Sequence, residues 1–290
     1  MALTATDRLL GGYLGFVTIV MFARGAFPSV GAWGILAFHA LFGVLLWLFT
    51  RLKPGDRLGI FLHTLYPLIM LIPLYGEFGL INDNIPVDRI LAHDAVVQQW
   101  EAALFGGQAS YEWIRRFPSV FWSGVLHLAY LAYYVIIAVG PLWLVIRGRP
   151  AGAQHAIFCM MLAYMPCYVL FLVYPVAGPY YAFEGPTGPV REVWSAQLVY
   201  GLQAEGSSIG AAFPSSHVAA TVSANLALVR YAPWVAAILA PLTILLVVGT
   251  VYTQQHYAVD VLVGLVVALA ALWLGPAVAA RLSRGGVPRR

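Results

Sequence analysis

Residues 233–280, PWVAAILAPLTILLVVGTVYTQQHYAVDVLVGLVVALAALWLGPAVAA, hold a single formal charge, Asp260, and two continuous apolar runs separated by the polar turn TQQH. Each run is about 20 residues long, enough for an α-helix to cross a hydrocarbon core of about 30 Å. Comparable runs recur along the chain, and eight spans are predicted at 9–23, 31–50, 58–75, 119–146, 156–176, 214–230, 234–252 and 258–280. The 290 residues are 61% hydrophobic and 10% charged, with a mean hydropathy of +0.81. A soluble domain has roughly 45–50% apolar and about 25% charged residues, so a water-soluble globule is excluded. An outer-membrane barrel is excluded as well, because its strands alternate in polarity over roughly ten residues, whereas these runs are unbroken and rich in Leu, Ala and Val. The expected fold is an all-α polytopic membrane protein, a bundle of about eight transmembrane helices that satisfy their own backbone hydrogen bonds.

The charges orient this bundle. With an even number of spans both termini share one side, and the basic tail Arg281, Arg284, Arg289 and Arg290 assigns that side to the cytoplasm. Arg8, Arg51, Lys53, Arg57, Arg147, Arg149 and Arg230 fall on the same side, giving eleven basic residues inside against five outside: Arg24, Arg89, Arg115, Arg116 and Arg191. The net charge of +4 is thus scattered through connections and reads as topological, with no nucleic-acid partner expected. Cys159 and Cys167 lie too far apart along one helix to form a bridge and have no metal-ligand spacing. The start MALTATDRLL lacks a small-residue cleavage site and reads as the lead into a retained first span.

Two long segments, 76–118 and 177–213, fall outside, and loops of this length are usually functional or disordered. In the first, VDRILAHDAVVQQWEAALF (87–105) has helix-like apolar spacing and predicts a short helix in the interface. The second, rich in Gly, Pro and aromatic residues, predicts a short helix over 190–204; its aromatics serve equally well as anchors at headgroup level. No internal repeat is present.

Ionisable residues at the ends of apolar spans are costly and mark functional candidates. Phe213-Pro214-Ser215-Ser216-His217 opens the sixth span. Pro and Ser at a helix start are ordinary capping residues, yet the same geometry aims free N–H groups and a positive dipole end at any nearby anion. His256-Tyr257-Ala258-Val259-Asp260 opens the eighth span, where a spacing of four puts both side chains on one face. Asp260 can then orient one imidazole nitrogen and leave the other for chemistry, the base-plus-orienter half of a triad. Because the sixth and eighth spans start on the same side, His217, His256 and Asp260 are expected at one membrane depth. His39, His63, His127 and His155, taken singly, read as satisfied structural groups.

At these residues the sequence resembles the type 2 phosphatidic acid phosphatase superfamily, in which P-S-x-H opens one helix and H-x-x-x-D opens another two spans later. The matches are Pro214-Ser215-Ser216-His217 and His256 with Asp260. The resemblance implies a six-helix phosphatase-like catalytic core at 58–290, preceded by two transmembrane helices over 1–57. It also implies a phosphohistidine mechanism in which His256 attacks phosphorus, Asp260 orients it, and His217 protonates the leaving oxygen and then activates the acceptor. AAFPSSH and QQHYAVD look most like the branch of inositol phosphorylceramide and sphingomyelin synthases and their bacterial relatives. Weaker similarity to that branch in Leu126-His127-Leu128-Ala129-Tyr130 adds His127 and Tyr130 to the expected substrate-binding residues.

The chain departs from the superfamily pattern where phosphate is clamped. The only Arg-Pro, Arg149-Pro150, has Leu142 in place of the motif lysine and falls on the cytoplasmic side, and Gly249-Thr250 stand where Ser-Arg is usual. Arg191 is the expected replacement, with Thr250, Thr253 and the groups around Ser215 and Ser216 as neutral donors; Arg115 and Arg116 read as headgroup anchors. The function expected is an integral membrane lipid phosphotransferase or phosphatase acting on a phospholipid or polyprenyl-phosphate headgroup. Its partners are a membrane lipid and a lipid or polyol acceptor, its site is extracytoplasmic, periplasmic or lumenal, and no metal or cofactor is required. The alternative is a transporter or scramblase using the His/Asp site as a proton relay or counter-charge, for which repeats and midplane polar residues are the usual signs.

The topology is testable without reference to chemistry. In a background lacking Cys159 and Cys167, Gly188→Cys is expected to react with a membrane-impermeant thiol reagent from outside and Gly55→Cys to be silent. The reverse labelling pattern overturns the assignment.

Overall fold

The computed structural model describes residues 1–284 except 54, 84 and 207, so Arg289 and Arg290 of the basic tail lie outside the described residues. An N-terminal group comprises α1 (Ala5–Ala23), α2 (Val30–Arg51) and α3 (Arg57–Asn82), followed by α4 (Val87–Phe105) and α5 (Ala109–Arg116). Next come α6 (Val120–Leu131), α7 (Tyr133–Ile146) and α8 (Pro150–Val173), then the short α9 (Pro179–Ala182), α10 (Pro189–Glu192) and α11 (Trp194–Gly206). The last three are α12 (Ser216–Leu228), α13 (Pro233–Tyr252) and α14 (Ala258–Arg284). The chain is a multi-pass helical membrane protein: six helices, α1, α2, α3, α8, α13 and α14, are long and apolar enough to cross a membrane, and the bent pair α6–α7 makes a seventh. The sixth predicted span, 214–230, corresponds to α12, whose 13 residues are too few for a crossing helix by length, so seven crossings pass among the described residues where eight were expected.

Helix starts follow local chemistry. Thr4 and Asp7 form a reciprocal capping box on α1, Ser29, Asp56, Ser119 and Ser215 cap α2, α3, α6 and α12, and Pro150 and Pro233 open α8 and α13. Several boundaries differ from the sequence reading, α1 and α8 starting four and six residues earlier than predicted, and three further differences bear on the site. The third span runs on to Asn82, seven residues past the predicted 75, because its last turns are paired inside the protein: Glu77 bonds His39 at 2.7 Å and Asn82 accepts from Arg24 at 3.0 Å. The fourth is broken by a 44° bend at Ala132. The sixth has 13 helical residues against 20 in α13, so it is about 20 Å long and about 10 Å shorter than its neighbour. A four-residue turn, 229–232, joins α12 to α13, and the turn after α13 folds back so that His256 meets His217 at the start of α12, 3.4 Å away.

Helix α8 is the centre of the bundle, with 72% of its apolar window buried against 22% for α2. It packs on α12, α14, α7, α3 and α1. Small residues on α12, among them Ala219, Ala220, Ser223 and Ala224, are all buried and bring its backbone close to both α8 and α14. Closest is Gly264 on α14, where a Cβ would stand 2.7 Å from the Ser215 carbonyl oxygen and 3.3 Å from Val218 Cβ. The N–H of Ser215 in turn donates to the Asp260 carbonyl at 3.1 Å, locking the start of α12 to the first turn of α14.

Gly264→Ala is therefore expected to push these two starts apart, destabilising the fold by about 1–3 kcal/mol. A lowered thermal midpoint in detergent, accompanied by a loss of activity, is the expected result; an unchanged midpoint would show that α12 has room to shift.

Candidate active site

Seven atoms define the centre. His256 lies in the turn between α13 and α14, 3% exposed, with its own N–H and that of Gln255 both donating to the Thr250 carbonyl at 3.0 Å, which folds the turn back toward α13. Its Nδ1 donates to the Ala212 carbonyl at 3.0 Å, and Asp260 Oδ2 stands 3.5 Å from the same nitrogen. Its Nε2 faces His217 Nδ1 at 3.4 Å, and the other nitrogen of His217 faces the Tyr130 hydroxyl at 3.3 Å. Burial pushes the His256 imidazole down to about 3, with His217 adding to the effect and the Ala212 bond opposing it. His256 is neutral in this environment, and Nε2 carries its lone pair.

Asp260 is fully buried and accepts from the Tyr257 N–H at 2.8 Å through Oδ2, while Oδ1 has no partner among the described residues. The nearest acceptor for His256 Nδ1 is thus a main-chain carbonyl, with the carboxylate behind it. Ala212 is brought there by the chain over 174–178, whose Val176 pairs with Ala211 and exchanges hydrogen bonds with Gly210 and Ala212.

The other expected site residues divide. Ser215 accepts from the Val218 N–H as the α12 cap, and Ser216 begins the helix beside it. Thr250 and Thr253 are buried and donate their hydroxyls to the carbonyls of Val247 and Gly249, one turn back in α13. Arg191 stacks its guanidinium 4.0 Å from the centroid of Tyr200, beside a cavity of about 300 Å³ that Tyr180 and Gln197 also line. The Tyr200 hydroxyl donates to the Thr253 carbonyl at 3.1 Å, which ties this cavity wall to the His256 turn. His127 packs edge-on to Tyr200, donates Nδ1–H to the Ser123 carbonyl at 2.7 Å, and leaves Nε2 buried without a partner among the described residues. Arg116 is exposed and paired with Glu112, whereas Arg115 reaches the turn itself, donating to Gln254 at 2.9 Å and to the Glu184 carbonyl. His39 and His63 are each paired with a carboxylate, Glu77 and Asp7, away from this centre.

The sequence model of the PAP2 superfamily matches residues 96–274. The chain belongs to the PAP2 superfamily. No curated protein and no solved structure matches it. Membership supports a phosphatase-type lipid enzyme, and the matched segment runs from α4 to α14, so it includes His217, His256, Asp260 and every residue named at the centre. No group of three or more His, Cys, Asp or Glu with metal-holding geometry exists among the described residues.

What sequence reading missed in this PAP2 protein is the carboxylate support beneath the site. Asp94, Gln98 and Glu101 lie on one face of α4 at a spacing of four and three. Asp94 accepts from the Ala177 and Gly178 N–H groups, both at 2.7 Å, and from the Tyr257 hydroxyl at 2.9 Å; Gln98 donates to that hydroxyl at 3.0 Å. Glu101 accepts from the Ser110 N–H at 2.7 Å and the Ala258 N–H at 3.2 Å. These bonds clamp the strap that carries Ala212's partner, Val176, and the first turn of α14. The signal was there in the spacing of three polar residues along an otherwise apolar face, but only the fold shows which side faces inward.

Burial raises the carboxyls of Asp94 and Glu101 above their ordinary values, opposed by the N–H groups that bond them. The folded chain therefore binds these protons more tightly than the unfolded chain, and stability falls as pH rises from the ordinary carboxylate range to the raised values. Asp94→Asn and Glu101→Gln are expected to flatten that part of the stability curve, measured as thermal midpoint against pH, and to cost about 1–3 kcal/mol each where donors lose their acceptor. A slope identical to wild type would remove both groups from the account.

Proposed function

We propose that the protein transfers a phosphoryl-linked headgroup between lipids through a covalent intermediate on His256. The reading is carried by one observation: a neutral imidazole whose Nδ1 is anchored on a main-chain carbonyl turns its Nε2 lone pair toward a second histidine 3.4 Å away. A nucleophile and a proton carrier within contact distance, with an orienting group behind the nucleophile, are what displacement at phosphorus through a covalent intermediate requires. Asp260, 3.5 Å from Nδ1, stabilises the positive charge that His256 acquires on bonding phosphorus.

The substrate is a phospholipid or polyprenyl phosphate, and the branch that includes inositol phosphorylceramide and sphingomyelin synthases is the one we assign. Arg191 at its cavity, with Ser215, Ser216 and the amides of the α12 start, takes the part of the missing phosphate clamp. His127, whose buried Nε2 accepts only, suits a hydroxyl of the headgroup or acceptor. With His256 3% exposed, bulk water has little access, which favours a bound and oriented alcohol over hydrolysis. The site faces the extracytoplasmic side in this reading, with both termini in the cytoplasm.

Turnover is expected to leave an acid-labile phosphoryl group on His256, trapped by rapid quenching with labelled lipid. His256→Ala abolishes both label and activity while the protein stays folded, and Asp260→Asn loses about a thousandfold or more. A panel of diacylglycerol, ceramide and polyol acceptors is expected to divert most flux into a new lipid. Free phosphate as the only product, at a rate no acceptor alters, would replace transfer by hydrolysis; absence of any trapped label in active wild type would remove the covalent step.

A further inference from the structure

The contacts through the two histidines admit one arrangement of protons. The Ala212 carbonyl can only accept, so His256 holds its proton on Nδ1 and a lone pair on Nε2. His217 Nδ1 faces that lone pair at 3.4 Å and is therefore protonated. The remaining nitrogen, His217 Nε2, has the Tyr130 hydroxyl at 3.3 Å. A phenol hydroxyl rotates about its C–O bond and is both donor and acceptor, unlike a carbonyl or an ammonium.

We propose that Tyr130 is a positioning residue for His217: in the substrate-free enzyme its hydroxyl donates to Nε2 of the neutral ring, and from the uptake of a proton onward it accepts from Nε2–H, so that Nδ1 alone exchanges protons with the reacting groups. The proposal rests on the reading of His217 as proton carrier to His256. It moves Tyr130 from the substrate-binding residues, where sequence similarity put it, to a place behind the acid.

The surroundings fit this role. Tyr130 and Tyr133 stand on either side of the bend at Ala132, and their rings lie 4.9 and 4.6 Å from the His217 ring, centroid to centroid. Both rings pack tilted against the imidazole, at 33° and 56° between planes, and restrict its rotation. The Tyr133 hydroxyl is paired with that of Tyr164, which leaves the Tyr130 hydroxyl as the one bonded to His217.

The proton count closes over a cycle. With an anionic phosphate bound, His217 takes one proton from solvent and becomes the imidazolium, Nε2–H donating to Tyr130. As His256 Nε2 bonds to phosphorus and the bond from phosphorus to the leaving oxygen breaks, the Nδ1 proton passes to that oxygen and His217 is left neutral. In the second half, Nδ1 takes a proton from the acceptor hydroxyl while its oxygen bonds to phosphorus and the bond to His256 Nε2 breaks. The imidazolium returns, and the proton on Nε2 never leaves. Without Tyr130 the neutral ring loses the partner that distinguishes its two nitrogens.

The test uses full-length protein in detergent, labelled with ¹⁵N-histidine and free of substrate, with the His217 signals assigned by their absence in His217→Ala. Nitrogen–proton couplings are expected to show Nδ1 protonated and Nε2 bare in wild type, and a mixture of both tautomers in Tyr130→Phe. In turnover, Tyr130→Phe is expected to lose about ten- to a hundredfold in kcat with KM within about twofold. Tyr133→Phe, which keeps the ring and removes a hydroxyl bonded elsewhere, is expected to leave the His217 signals unchanged. Unchanged signals in Tyr130→Phe, a KM rise at constant kcat, or the same change in Tyr133→Phe would each overturn the proposal. Should His217→Ala retain full turnover, the acid role of His217 falls, while the substrate-free nitrogen signals still decide whether Tyr130 sets its tautomer.

Discussion

The hydrogen bond from His256 Nδ1 to the Ala212 carbonyl decides which nitrogen of the imidazole is free, and the strap at 174–178 with α4 behind it is arranged to keep that carbonyl in place. An apolar solvent supplies no hydrogen bonds, so a polar turn between two spans has to be satisfied from within the chain. Here the partners come from three directions. The Thr250 carbonyl of α13 takes two N–H groups, the strap at 176–178 holds the Ala212 carbonyl in place, and α4 supplies carboxylates beneath the turn. None of these partners is adjacent to His256 in sequence, and each is itself held by a further bond. The result is an imidazole fixed by main-chain groups, whose geometry is less sensitive to side-chain rotation than a carboxylate alone would give.

Much of this was legible in the sequence, and for identifiable reasons. The helix expected at 87–105 appears with the same limits as α4, because its apolar spacing is strictly local information. The convergence of His217, His256 and Asp260 followed from counting spans, since crossing number alone places helix starts on one side. What local pattern could not show is pairing across 80 or more residues: Asp94 with the strap at 177–178, Glu101 with Ala258, Arg115 with Gln254. Carboxylates buried against main-chain N–H groups look, in sequence, like ordinary polar positions on an amphipathic helix. The bend at Ala132 was invisible for a different reason, as neither Pro nor Gly stands at the break.

The N-terminal helices precede the segment matched by the superfamily, and they too resolve the cost of charge in an apolar medium by pairing. Asp7 caps its own helix and accepts from His63 at 2.8 Å and Tyr66 at 2.6 Å, so one carboxylate joins α1 to α3. His39 joins α2 to α3 through Glu77, with Thr18 of α1 on its other nitrogen at 2.8 Å. Such buried pairs contribute little net stability, yet they penalise any other register of the three helices, since a slip of one turn would strand a charge.

The shortness of α12 bears on how a lipid would reach the chemistry. This helix is about 10 Å shorter than α13, and the turn after α13 folds back until His256 meets His217 at 3.4 Å, so the two rings meet inside the bundle with His256 3% exposed. Hauling a lipid outward until its phosphate met a surface site would bare methylene groups to water at about 0.8 kcal/mol each. A headgroup that entered a site inside the bundle would leave its tails in oil, and that work of extraction would not arise.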